Sequence, residues 1–199
     1  MEVHNGDKFM CSVLLVEFLG ILCYEICNNL YDGSNQPALV YMCFMMICLR
    51  ISGGHLNPAV TTGVYMEQLE FKKNAGFAVA LIIVQFAGAF CGLCITFMLR
   101  VQIPSETQEG KYIFVPDQYP FYPHILDGSN GLPAYGQVFL AETIGTMFFV
   151  MLYLTGKYEV ARGRDPFAMI VCAISGWIGL YTCLEHVSGG IFNPAIALA

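Results

Sequence analysis

Two asparagines, Asn57 and Asn193, lie in the sequence contexts that point most clearly to chemistry. Each is followed by Pro-Ala and preceded by Ser-Gly-Gly and two further residues, in the nine-residue stretches 52–60 and 188–196. Six of the nine positions are identical, and a seventh pairs Val60 with Ile196. The two copies are separated by more than half of the chain, which is too far for a solenoid unit, so the repetition predicts two homologous halves.

The local sequence predicts that a helix begins at each asparagine. Asn is a favoured N-cap and Pro a favoured first helical residue, while the glycines before them permit a tight backbone turn. If the side-chain oxygen caps the first free N–H groups, the amide NH2 is left as a donor at the positive end of the helix dipole. A single copy is equally well explained as an ordinary capped helix, so the interpretation depends on the repeat.

The composition predicts that these helix starts lie in a membrane protein. The chain has 199 residues, of which 56% are hydrophobic and 12% charged, and its mean hydropathy is +0.59. Soluble domains carry about 25% charged residues, which are needed to cover the surface. The net charge of −6 gives no indication of a nucleic-acid partner.

Five apolar runs are candidates for helices that cross the bilayer, although the second is short for a span. They cover residues 10–28, 37–51, 75–99, 137–154 and 166–183. The helix that follows the first asparagine box covers about ten residues, which is half a bilayer at about 1.5 Å per residue, so it is a re-entrant candidate.

The chain is predicted to divide into two repeats around a long loop. Residues 1–103 form the first repeat, with three spans and a half-helix. Residues 104–136, which are rich in Pro and Tyr, form a loop on the extracytoplasmic side. Residues 137–199 form the second repeat, which is incomplete.

The basic residues predict a cytosolic N-terminus through the positive-inside rule. Most would lie on one side of the membrane, with only Arg100 and Lys111 on the other. The larger group is Lys8, Arg50, Lys72, Lys73, Lys157, Arg162 and Arg164. Because each half has an odd number of spans, the second half is inverted, and the two half-helices enter from opposite faces and meet near the midplane.

The paired Asn-Pro-Ala boxes, together with Glu17 and Glu142 in the first span of each half, resemble the aquaporin (major intrinsic protein) family. The resemblance implies an all-α membrane protein: an inverted repeat of six tilted transmembrane helices with two re-entrant half-helices. It also implies a pore in each protomer, in the lipid bilayer, and a homotetramer or membrane complex. The sixth span is absent from this chain, so we expect a chain cut short, closure by another polypeptide, or a degenerate relative.

The resemblance implies a passive channel for water and small neutral solutes, with no catalytic residue, cofactor or metal. Protons would be excluded where the asparagines of Asn57-Pro58-Ala59 and Asn193-Pro194-Ala195 meet. Glu17 and Glu142 would brace the re-entrant loops by accepting backbone N–H groups. The remaining pore-lining positions would be Gly53, Gly54, His55, Val60, Gly189 and Gly190.

An outer filter is expected at Pro37, Tyr181, Gly190 and Ile196. Ile196 stands where a tight water pore of the family carries Arg, so the filter should be less polar. Glycerol, urea, ammonia and peroxide therefore remain candidate solutes. The same departure motivates the alternative, a non-conducting structural or assembly subunit in a membrane complex.

Overall fold

The structure is a computed structural model that describes residues 3–30, 37–69, 71–100, 135–163, 165 and 167–199. Seven helices make up this described part. They are α1 (Val3–Leu30), α2 (Pro37–Ser52), α3 (Pro58–Gln68), α4 (Phe71–Arg100), α5 (Tyr135–Ala161), α6 (Phe167–Ser188) and α7 (Pro194–Leu198). The predicted all-α class is therefore confirmed, whereas nearly all of the predicted loop 104–136 lies outside the described residues.

Four of the helices are long and apolar enough to cross a membrane. Their spans are Phe9–Leu30, Lys72–Leu99, Gly136–Ala161 and Phe167–Leu184, and α2 adds the shorter apolar segment Ala38–Ser52. The helices extend beyond the predicted apolar runs, and α1 already begins within the polar segment at Val3. Helical hydrogen bonding continues through polar residues where a helix leaves the bilayer, so apolar runs alone understate helix length.

The outer faces of the helices are apolar and the buried polar residues point inward. Ile83, Phe90 and Phe139 expose 61%, 62% and 74% of their surface, whereas Glu17 and Gln85 are fully buried. A soluble protein rarely exposes such large apolar patches. This inside-out distribution of polarity is the one expected of a protein whose solvent is lipid.

Helix α1 packs against α2 and α4, and α5 packs mainly against α6. The contact between α1 and α4 depends on Gly88 and Gly92, which lie one turn apart on α4. A Cβ atom at Gly88 would lie 2.6 Å from the carbonyl oxygen of Phe18, and one at Gly92 would lie 2.7 Å from that of Leu22. Small residues at this spacing let two membrane helices approach until their backbones touch.

The loops that lead into α3 and α7 repeat the same backbone conformation. The φ angles of the first loop are matched within a few degrees by those of the second, and all lie in the left-handed region. They are 90°, 65° and 46° at Gly53, Gly54 and Leu56, and 88°, 64° and 48° at Gly189, Gly190 and Phe192. The two halves therefore share one loop design, as the sequence repeat predicts.

Each loop places its large apolar residue over a glycine in the first helix of its own half. A Cβ atom at Gly20 of α1 would lie 2.6 Å from Leu56, and one at Gly145 of α5 would lie 2.0 Å from the Phe192 ring. Leu56 and Phe192 are both buried to 1% exposure or less. The glycines thus set how deeply the loops enter the helix bundle.

We expect Gly145→Ala to lower stability by about 1–3 kcal/mol, the typical effect of overpacking a filled core. The added methyl group would overlap the ring of Phe192, which is itself buried. Thermal unfolding of the purified protein in detergent measures the effect. The control is Gly179→Ala on α6, where an added Cβ meets nothing within 4 Å; an equal Tm for the two variants would refute the prediction.

Candidate functional site

Asn57 and Asn193 cap α3 and α7 in the same way. Asn57 has an extended backbone (φ −159°, ψ 121°), and its Oδ1 accepts a 2.8 Å hydrogen bond from the N–H of Ala59. Asn193 is also extended (φ −136°, ψ 107°), and its Oδ1 accepts from the N–H of Ala195 at 3.1 Å. A proline follows each cap at the first helical position, as the sequence predicts.

The two asparagines are joined by a reciprocal pair of hydrogen bonds. Nδ2 of Asn57 donates to the carbonyl oxygen of Phe192 at 2.8 Å. Nδ2 of Asn193 donates to that of Leu56 at 2.9 Å. Both acceptor residues have positive φ, a strained conformation for residues other than glycine. In this conformation each carbonyl points towards the asparagine of the opposite loop and accepts its hydrogen bond.

Within the described residues, this arrangement leaves each asparagine with one unused hydrogen. A side-chain amide carries two N–H donors, and the opposite loop takes one of them. The residues are only 1% and 5% exposed, so the second donor is held in a buried, fixed position. At Asn57 that position also lies at the positive end of the α3 dipole.

Glu17 holds the first loop in place. It is fully buried, and one carboxylate oxygen accepts from the N–H of His55 at 2.9 Å and from Oγ of Ser52 at 2.5 Å. The other oxygen accepts from the N–H of Leu56 at 2.7 Å and from Nε2 of Gln85 at 2.8 Å. Four donors therefore compensate the burial of this carboxylate.

Glu142 contacts the second loop in the corresponding way but with fewer partners. Its two oxygens accept from the N–H of Ile191 at 3.1 Å and of Phe192 at 2.8 Å. Ser188, the counterpart of Ser52, donates its hydroxyl to the Leu184 carbonyl instead. Within the described residues, the second carboxylate is thus bound by backbone donors alone.

His55 lies at the edge of a cavity of about 260 Å³, next to the start of α4. Its Nδ1 is 3.1 Å from Oγ1 of Thr61, which in turn is hydrogen-bonded to Gln85. The cavity, called the His55 cavity below, is lined by His55, Thr61, Val64, Tyr65, Gln68, Asn74, Phe77, Ala78 and Leu81. It offers a mixed polar and apolar chamber with room for several water molecules.

Three carbonyl groups of the two loops accept hydrogen bonds from aromatic side chains. The pairs are Tyr153 Oη to Gly53 at 2.7 Å, Tyr41 Oη to His55 at 2.7 Å, and Trp177 Nε1 to Gly190 at 3.3 Å. These carbonyls belong to residues that the family resemblance implies as pore-lining positions. Each carbonyl oxygen has a second lone pair, so it retains capacity for one further donor.

The space that both asparagines border is narrow. It leaves about 0 Å³ for a water molecule. The residues around it are Tyr41, Asn57, Phe149, Trp177, Ile191, Phe192 and Asn193.

The predicted outer filter is described only in part. Pro37 begins α2, but its side chain lies outside the described residues. Tyr181 is buried beside Gly190, where an added Cβ would lie 2.9 Å from the Tyr181 ring. Ile196 is buried in the first turn of α7.

Two of the predicted pore-lining positions of the first box pack into the protein. Val60 is fully buried within the hydrophobic core. Gly54 faces α2, where an added Cβ would lie 2.8 Å from the Met45 carbonyl oxygen.

The sequence reasoning missed Gln85, Tyr153, Tyr41 and Trp177. A signal for two of them existed, because Tyr41 and Trp177 have the same separation in sequence as the two asparagines. No comparable signal marks Gln85, whose counterpart would lie beyond residue 199.

Comparison with known proteins gives one family. The family model described as Major intrinsic protein matches residues 8–121. The chain is 34% identical over 146 residues to Aquaporin AqpM of Methanothermobacter marburgensis, which covers 73% of this chain and 51% of that protein. It is 32% identical over 148 residues to the Probable glycerol uptake facilitator protein of Thermotoga maritima, and the match covers 73% of this chain and 56% of that protein. The chain thus spans about half the length of the curated relatives it matches.

We expect Glu17→Gln to destabilise the protein by about 2–3 kcal/mol, the penalty for leaving a buried polar group without its partner. The side-chain nitrogen of the new Gln would face a donor group whose hydrogen bond a Glu17 oxygen now accepts. The measurement is thermal unfolding in detergent. Glu67→Gln is the control, because Glu67 pairs with Lys157 at an exposed site (2.5 Å) and such pairs contribute at most about 1 kcal/mol. Equal losses in the two variants would contradict the bracing role of Glu17.

Proposed function

Since this chain belongs to the major intrinsic protein family, we propose that it forms a passive transmembrane channel for water and small neutral solutes. The proposal is carried by one observation: the starts of α3 and α7 meet, and Asn57 and Asn193 donate across the junction to each other's loops. The names of the relatives, aquaporin and glycerol uptake facilitator, make water and glycerol the first solutes to test.

Exclusion of protons follows from the remaining donors of the two amides. A water molecule that accepts an N–H from both asparagines has its lone pairs occupied, so it cannot accept a proton from the neighbouring water. The positive end of the α3 dipole adds an electrostatic barrier to a hydrated proton. Transport on this mechanism needs neither a covalent step nor a cofactor, and we therefore propose a channel and not an enzyme.

The His55 cavity is the proposed entrance on the cytosolic side. Its polar lining includes Thr61 and Gln68, and the nearby helix ends carry Lys72, Lys73 and Lys157. By the positive-inside rule these basic residues face the cytosol, in agreement with a cytosolic N-terminus. The homotetramer stays a prediction of the family resemblance.

A second candidate function is that of a non-conducting structural or assembly subunit. The observation that favours it is the narrow space beside the asparagines, which leaves about 0 Å³ for water. This alternative predicts the same membrane fold without flux.

Stopped-flow osmotic shrinkage of proteoliposomes separates the two functions. We expect the reconstituted protein to raise water permeability above that of empty vesicles, without raising proton flux under a pH gradient. Asn57→Leu removes the donor at the helix start and should lower the water flux towards the empty-vesicle value. Gln137→Leu, an equivalent change at an exposed position of α5, should leave it unchanged.

Water permeability equal to that of empty vesicles, in the wild type and in every folded variant, would exclude the channel and favour the structural subunit. A proton flux that rises together with the water flux would instead refute the exclusion mechanism. Elution volume and helical content of each variant establish that it is folded before its flux is compared.

A further inference from the structure

Four aromatic side chains from four different helices meet in the centre of the bundle. They are Tyr24 of α1, Tyr41 of α2, Phe149 of α5 and Trp177 of α6, here called the aromatic cluster, and each is at most 3% exposed. The Tyr41 and Trp177 ring centroids are 4.9 Å apart at 89°, and those of Tyr24 and Tyr41 are 5.2 Å apart at 82°. Edge-to-face contacts at these distances are favourable and hold the rings together.

The cluster consists of two pairs of repeat-related positions. Tyr41 and Trp177 have the sequence separation that also relates Asn57 to Asn193. Tyr24 and Phe149 each follow the loop-bracing glutamate of their half by the same number of residues. The inverted repeat therefore brings the four rings together by the same relation that brings the asparagines together.

Three of the four rings border the space where a permeating molecule would meet the two amides. Tyr41, Phe149 and Trp177 border that space together with both asparagines, and it leaves about 0 Å³ for water. By contrast, the His55 cavity holds about 260 Å³.

Two of the rings are also held by hydrogen bonds to the re-entrant loops. Tyr41 donates to the carbonyl of His55, and Trp177 donates to that of Gly190. Each of these two repeat-related residues thus donates to the loop of its own half. Moving either ring out of the space breaks one buried hydrogen bond and the edge-to-face contacts.

We infer that the aromatic cluster is the constriction that limits permeation in this protein, and that it lies at the asparagine pair and not at the outer filter. The inference rests on the proposed channel function. Water passes only when a ring moves aside, so the native flux is low. A molecule as large as glycerol needs more than one ring to move and is strongly disfavoured.

Truncation of the rings tests the inference in proteoliposomes. We expect Tyr41→Ala and Trp177→Ala each to raise water permeability per protein, and the double variant to raise it about tenfold, the change produced when a barrier falls by about 1.4 kcal/mol. The double variant should also admit glycerol. Phe90→Ala is the matched control, since Phe90 is 62% exposed on α4. Tyr41→Leu is a milder variant in case the alanine variants do not fold.

Tryptophan fluorescence provides a second readout that does not require flux. The chain has one tryptophan, Trp177, so its emission reports on the cluster alone. In Tyr41→Ala or Tyr41→Leu, entry of water should shift the emission to longer wavelength and increase quenching by acrylamide. In Phe90→Ala neither should change.

The two proposals fail in different ways. A wild-type protein that conducts water and is not accelerated by truncation overturns the constriction and leaves the channel intact. Unchanged Trp177 emission in both Tyr41 variants likewise overturns the constriction. If wild type and all folded variants give the flux of empty vesicles, both the channel and the constriction are wrong.

Discussion

Two buried hydrogen bonds, from each asparagine amide to the carbonyl of the opposite loop, are the constraint on which the rest of the structure depends. They join segments 135 and 137 residues apart in sequence. Leaving such a group unpaired in a dry interior costs about 1–3 kcal/mol. The loops must therefore hold their carbonyls in the strained orientation seen at Leu56 and Phe192, and the glutamates and the underlying glycines stabilise that orientation.

The two loops reach this conformation with different support. Glu17 accepts from two backbone N–H groups and from two side chains, one of them Gln85 of α4. Glu142 accepts from two backbone N–H groups within the described residues. The second loop accordingly depends more on the packing of Phe192 against Gly145. An inverted repeat can thus keep its backbone geometry while its supporting contacts diverge.

The helix starts, the repeat and the membrane class could be predicted from sequence because each depends on local chemistry. Asn-Pro fixes a cap and a first turn whatever surrounds it. The aromatic cluster could not be predicted in the same way, since its contacts join four helices. Its two pairs also follow different offsets, because Tyr24 and Phe149 are closer in sequence than Tyr41 and Trp177. The use of loop carbonyls by aromatic donors likewise depends on tertiary distances.

A double-mutant cycle on Asn57 and Asn193 tests the central junction most directly. Asn57→Ala, Asn193→Ala and the double variant would be compared by reversible unfolding in detergent. Each asparagine donates to the residue that precedes the other asparagine in sequence. Removing one asparagine therefore already loosens the loop that carries the other, and removing the second costs less. We expect the double variant to lose less than the sum of the two single losses, by about 1 kcal/mol or more. Losses that add to within about 0.5 kcal/mol, as for independent sites, would contradict a shared junction.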